Sequence, residues 1–213
     1  MASVFLPPFD IVPESKQLET MSFLESCSRI AGIMDILGGK LFSPMKTDVT
    51  GNVEKIKKRF LENPIDVATL DGLIEFEKTE TDLKLKEKNG LGVASSAIVW
   101  LKRSLKLILI FLERFLAKDY DKNLENLKSA LKIAYKESLQ DFHGWVVGKL
   151  VTVMLNAAPN RTTFAQDLMK REEVESEEEL LRIIEGYIVN FKATVNTLYE
   201  LGEKTGIEVK DKI

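Results

Sequence analysis

The stretch from Ser43 to Arg59, S-P-M-K-T-D-V-T-G-N-V-E-K-I-K-K-R, constrains the fold more than any other. Ser43-Pro44 reads as a helix start, a hydroxyl cap followed by a proline at the first helical position, where its missing N–H costs nothing. Met45, Val49, Val53, Ile56 and Phe60 then recur at steps of four, four, three and four, the spacing of one buried helical face. Asp48, Asn52, Lys55 and Arg59 keep the same rhythm one residue earlier. One residue is about 100° around a helix, so this polar row sits at the shoulder of the apolar stripe. A polar group there can be half desolvated and still face a ligand. Asp accepts, Asn donates and accepts, and Lys donates, a mixture suited to a polyhydroxylated or amide-bearing guest. The same row also suits a solvated shoulder with weak surface pairs. Gly51 within the helix marks a bend or a close approach.

Apolar residues recur at three and four rather than two along the rest of the chain, which predicts an all-α protein of about eight helices in one domain over residues 1–213. A proline-rich apolar arm covers residues 1 to 13. One helix from Glu14 to Leu37 is expected to stop at Gly38-Gly39. The helix from Ser43 stops near Asn63-Pro64, and Asp66 caps the next, which carries a charged distal part to Asn89-Gly90. Val93 to Lys118 is the longest helix, nearly apolar all round from Leu105 to Leu112 and therefore central. A helix from Asp121 to Leu139, a break at 140–145, a helix from Val146 to Ala158 and a short one from Thr162 or Thr163 follow. The acidic run from Glu172 leads into a last helix, capped by Ser176 with Glu179 as a capping box and reaching about Leu201.

Several chemistries are excluded. With a net charge of −3, no basic face dominates, which argues against nucleic acid. A single His and a single Cys cannot supply the common zinc sites, and no phosphate-loop or nucleophile-elbow motif is present. No cofactor is expected. One cysteine, Cys27, fits a reducing compartment, and no apolar run approaches the roughly 20 residues of a membrane span; the cytosol is the expected location. Three aromatic positions stand out. Trp100, in W-L-K-R, reads as a core residue or as a platform for a flat ligand face. His143, in F-H-G-W, reads as a structural group or as a donor to a ligand carbonyl. Trp145 at a helix entry suits a membrane interface.

These segments together resemble the glycolipid transfer protein family: K-x-D-V-T-G-N-V-x-K-I-K at 46 to 57, W-L-K-R at 100 to 103, F-H-G-W-V-V at 142 to 147 and A-A-P at 157 to 159, in the family's order. The similarity runs from K-Q-L-E-T at 16 to 20 through A-T-V-N-T-L-Y-E at 193 to 200. The resemblance implies a two-layer all-α sandwich that carries one glycosphingolipid between membranes without metabolising it. It implies that Asp48 bonds the sugar and the ceramide amide, that Asn52 and Lys55 bind sugar hydroxyls, that Trp100 supports the sugar ring, that His143 donates to the amide carbonyl, and that Trp145 touches the membrane. Arg59 adds a cation at the rim, which leaves a phosphorylated or sulfated sphingolipid as the alternative cargo; a lipid-modifying enzyme and a sensor or adaptor are the other readings. A lipid chain of about 15 methylenes gains on the order of 12 kcal/mol on moving from water into an apolar tunnel. Met34, Leu37, Phe42, Met45, Leu107, Val151 and Leu155 are the expected lining. The protein is expected to be a monomer in transient contact with membranes. Ser96, where the animal protein has leucine, the K-D-K-I terminus without an aromatic, and Gly32-Ile33-Met34-Asp35 without paired aromatics set the chain apart from animal members and fit a non-animal source.

Overall fold

In the computed structural model, residues 2–82, 86–87, 89–117 and 127–208 are described. They form α1 (Thr20–Ile30), α2 (Ile33–Gly38), α3 (Ser43–Glu62), α4 (Leu70–Lys78), α5 (Val93–Leu116), α6 (Lys128–Ser138), α7 (Trp145–Asn156), α8 (Arg161–Glu172) and α9 (Glu177–Thr205), with single 3₁₀ turns at Gly39–Leu41 and Gln140–Phe142. Among the described residues the only β pairings are two isolated bridges, Glu19 with Thr69 and Lys86 with Gly92. The architecture is the all-α helical sandwich that the periodicity and the resemblance predict.

α5 holds the middle, packed on α3, α4, α6 and α9. From Ala94 to Leu112 most of its residues are buried, including Lys102 and Arg103. A helix apolar on nearly every side has no other place to go. Glu77 of α4 anchors its start. The Glu77 carboxylate accepts from the amides of Ala94 and Ser95 and from the Ser95 hydroxyl, the last two at 2.7 Å. An acid at the positive end of a helix is favourable on both hydrogen-bond and dipole grounds. The N-terminal arm lies on the body as expected: Val4, Phe5 and Phe9 are buried, and Phe9 stacks on Phe191 of α9 at 5.0 Å.

Several boundaries differ from the sequence reading, each for a local reason. The helix expected from Glu14 to Leu37 starts only at Thr20 and breaks after Ile30. At Gly32 a Cβ would meet the Arg29 carbonyl at 3.0 Å, so the chain turns tightly there. Ser43 does not cap α3; its hydroxyl donates to the Lys40 carbonyl. α4 is capped by Thr69, which accepts from the Gly72 amide, while Asp66 instead accepts from Asn63. α4 also ends at Lys78, well before Asn89-Gly90, and Gly90 takes the positive φ of a turn. α9 starts on its Ser176 cap as expected and continues one turn past Leu201 to Thr205. The expected starts at Asp121 and end at Lys118 lie outside the described residues.

Candidate functional site

The shoulder row of α3 faces α5. Asp48 Oδ2 accepts from Ser104 Oγ at 3.0 Å, and Asp48 Oδ1 lies 3.4 Å from Asn52 Nδ2, one turn along the same helix. Asp48 is open to solvent along one side, yet protein packs closely around its carboxylate. That desolvation raises its pKa above the ordinary aspartate value, and the bonds from Ser104 and Asn52 and the charge of Lys55 pull the other way. Lys55 is exposed and pairs with Glu87 at 3.2 Å.

Trp100 and Ser104 stand one turn apart on α5 and so share a face. The Trp100 ring is half buried and lies near-parallel to His143, with centroids 6.4 Å apart and planes 17° apart. His143 follows the 3₁₀ turn that ends α6 and precedes α7 by two residues. Its Nδ1 is 3.1 Å from the Tyr135 hydroxyl. Burial, and secondarily the charge of Arg103, lower its pKa, so the imidazole is neutral at pH 7. Arg103 is buried behind this layer, its guanidinium 4.8 Å from the Trp100 ring centroid and 3.5 Å from that of Phe142. Burial pulls the guanidinium down to about 10, which leaves it charged at neutral pH. The platform is thus fixed by a cation–π contact rather than by apolar packing alone.

Asp48, the first member of the polar row, and the aromatic platform open onto a cavity of about 360 Å³ between α2, α3, α5 and α7. Asp48, Trp100, Ser104 and His143 stand in its wall, and the remainder is apolar: Met34, Met45, Val49, Val147, Val151 and Met154 among others. Its rim is apolar as well, since Leu41, Leu150 and Val153 line it and are exposed. Of the expected tunnel residues, Met34, Met45 and Val151 line this cavity. Leu37, Phe42 and Leu107 are packed in the core away from it, and Leu155 lines a neighbouring groove between α6 and α7. Trp145, at the first position of α7, is 74% exposed, next to exposed Val146. No helix among the described residues is long and apolar enough to cross a membrane.

Arg59 requires a correction. Its polar-row spacing is kept, but eleven residues of helix set Arg59 roughly 16 Å along α3 from Asp48, past the cavity and under α4. There its guanidinium is buried, bonded to Glu62 and Glu80, 3.7 Å from Glu77, and 4.9 Å from the Phe76 ring centroid. It ties α3 to the carboxylate that holds the start of α5, and it is not available to a headgroup. Ser104 and Tyr135 were not singled out by sequence reasoning. Ser104 was reachable, being four residues after Trp100; Tyr135 meets His143 only through the turn between α6 and α7.

An all-helical body with a carboxylate, a hydroxyl, an indole and an imidazole in the wall of an otherwise apolar cavity suits an amphipathic guest. The match to known proteins makes the class specific: the family model described as "Glycolipid transfer protein (GLTP)" matches residues 18–170, and the chain belongs to this family. A glycolipid transfer protein of Danio rerio is 37% identical over 214 residues, covering all of both chains. Among solved structures, the fungal glycolipid transfer protein HET-C2 superimposes with a TM-score of 0.79 at 25% identity, covering 100% of this chain and 96% of the other. A structure of FAPP2, reported for how it selects simple glycosphingolipids with this fold, gives 0.80 at 27% identity, with the same coverage.

Proposed function

We propose that this protein moves glycosphingolipids of the glucosyl- or galactosylceramide type between membranes without altering them. Residues 1–213 act as one domain and as a monomer in the cytosol. The single observation that carries the reading is the joining of the Asp48 carboxylate, Trp100 and His143 to one continuous apolar cavity. A carboxylate accepts from sugar hydroxyls and an amide N–H, a neutral imidazole donates to a carbonyl, and a flat indole suits one face of a sugar ring. The family relatives named for glycolipid transfer support the same cargo.

The bilayer is as apolar as the cavity, so the chains gain little on transfer and the head site supplies the selectivity. Trp145, Val146, Leu150 and Val153 form the exposed apolar edge through which the mouth meets the lipid surface. A phosphorylated cargo is the poorer fit. Arg59 is committed to three glutamates, Lys55 is paired with Glu87, and Asp48 presents a negative charge where the headgroup lies.

The test is transfer of fluorescent glucosylceramide, galactosylceramide, lactosylceramide and ceramide-1-phosphate between vesicles, with mass spectrometry of the lipids afterwards. The sugar lipids are expected to move and to be recovered intact. Movement of the phosphorylated lipid alone, or recovery of a chemically changed lipid, overturns the reading.

A further inference from the structure

The single histidine is held by a partner that belongs to no sugar-binding row. Tyr135 sits in α6, its ring almost completely buried, and its hydroxyl reaches His143 Nδ1 across the turn between α6 and α7. The two rings are 5.6 Å apart between centroids and tilted by 38°, so the contact is edge-directed through the hydroxyl and not a stack. Both residues also line the groove on the far side of this turn, whereas of the two only His143 reaches the lipid-side cavity. The imidazole therefore forms a partition. Nδ1 is engaged by Tyr135, which leaves Nε2 as the nitrogen free to serve the cavity.

We infer that Tyr135 is a positioning residue: its O–H donates to His143 Nδ1, fixes the imidazole as the Nε2–H tautomer, and so makes His143 a donor to a carbonyl in the cavity. The direction of the bond follows from the two groups. A phenol is a better acid than a neutral imidazole N–H, and an imidazole nitrogen is a far better acceptor than a phenol oxygen. The opposite arrangement would pair the weaker donor with the weaker acceptor and would leave Nε2 as a lone pair aimed into the cavity. Asp48 already supplies the acceptor there. Two acceptors cannot both serve an amide, which offers one N–H and one C=O; one acceptor and one donor can. Burial raises the Tyr135 phenol and lowers the imidazole, which keeps both partners neutral over the working pH range. Arg103, the charged group behind the ring, opposes protonation from the other side. A histidine whose tautomer is set by the bond at its other nitrogen is a recurrent device for aiming a single proton.

The inference rests on the glycosphingolipid reading for its purpose but not for its test. Because the chain has one histidine, long-range ¹⁵N–¹H spectra of the lipid-free protein report a single imidazole. Nε2 is expected to be protonated and Nδ1 unprotonated and hydrogen-bonded at pH 7; in Tyr135→Phe the Nδ1 signal shifts to that of a nitrogen without the bond. A protonated Nδ1 in the unaltered protein overturns the assignment. Binding is then measured with glucosylceramide and with its deacylated form, which lacks the carbonyl. Tyr135→Phe, which keeps the buried ring, should weaken the acylated lipid about tenfold and leave the deacylated one within twofold. In a His143→Gln background the Tyr135→Phe effect should vanish. Equal losses for both lipids, or a loss that persists without His143, would make Tyr135 a packing residue only. If the unaltered protein binds neither lipid, the glycosphingolipid reading fails, while the spectrum still decides the tautomer.

Discussion

Replacing Asp48 by valine separates what the site does for a ligand from what it does for the fold. The carboxylate accepts from Ser104 at 3.0 Å and from Asn52 at a longer 3.4 Å, with the rest of its capacity turned to the cavity. A hydrogen bond to a charged group contributes roughly 1.5–3 kcal/mol, and two such bonds to the ligand therefore supply about 3 kcal/mol or more. Each 1.4 kcal/mol is a factor of ten, so Asp48→Val should lower affinity and transfer of glucosylceramide by about a hundredfold at least. The fold has less at stake. The variant loses the bonds to Ser104 and Asn52 but relieves the desolvation of a carboxylate, and the net cost should be about 1 kcal/mol, or roughly 2–4 °C in Tm for a domain of this size. The sign of the pH effect is also fixed. The folded-state pKa of Asp48 is raised, so the native protein takes up a proton before the unfolded chain does, and the unaltered protein should gain stability relative to the variant as pH falls through that value. Vesicle transfer and thermal unfolding, run on the same preparation, check both halves. Transfer within threefold of the unaltered protein would refute the role of the carboxylate; a Tm loss above about 10 °C would refute the claim that it serves the ligand rather than the core.

Three further outcomes are expected. Arg59→Gln leaves Glu77 buried with its cation gone and should cost about 3 kcal/mol in urea unfolding, while the preference for sugar lipid over ceramide-1-phosphate stays unchanged; a shifted preference would return Arg59 to the head site. Trp145→Ala removes an exposed ring and should leave Tm within 1–2 °C, yet reduce vesicle binding several-fold in a sedimentation assay. His143 has a lowered folded-state pKa, so the unfolded chain binds its proton first, and stability should fall as pH drops below about 6.5. His143→Gln should remove that part of the pH dependence of Tm, and an unchanged profile would show that the ring is not desolvated.

The α5 segment shows how far a linear pattern reaches. Its apolar circumference was visible in the run from Leu105 to Leu112, and a helix of that kind is central whatever surrounds it. The adjacency of Asp48, Asn52 and Lys55 was visible for a similar reason: helical geometry is local, and positions three and four apart share a face in any context. Trp100 and His143 were singled out one by one, but nothing within i and i+4 joins them. They meet because the turn after α6 returns the chain to α5. The cap expected at Asp66 failed because the turn brings the Thr69 hydroxyl to the free amide instead, and that at Ser43 because its hydroxyl is turned back to the Lys40 carbonyl and α3 starts without a side-chain cap.

Arg59 marks the boundary most clearly. Its position in the row was correct and its role was not, because its partners Glu77 and Glu80 lie on or just after another helix and are 18 and 21 residues away. By itself the sequence determined the all-α class, the polar row along α3, the aromatic and histidine candidates and, through several motifs in order, the family. Only the tertiary structure decided that Arg59 is spent on the core, which apolar residues line the cavity and which merely pack, and that Tyr135 holds the one histidine. Periodicity records which face of each helix is buried; it carries no record of what lies opposite that face, and charge partners, cavity walls and the aim of a proton depend on nothing else.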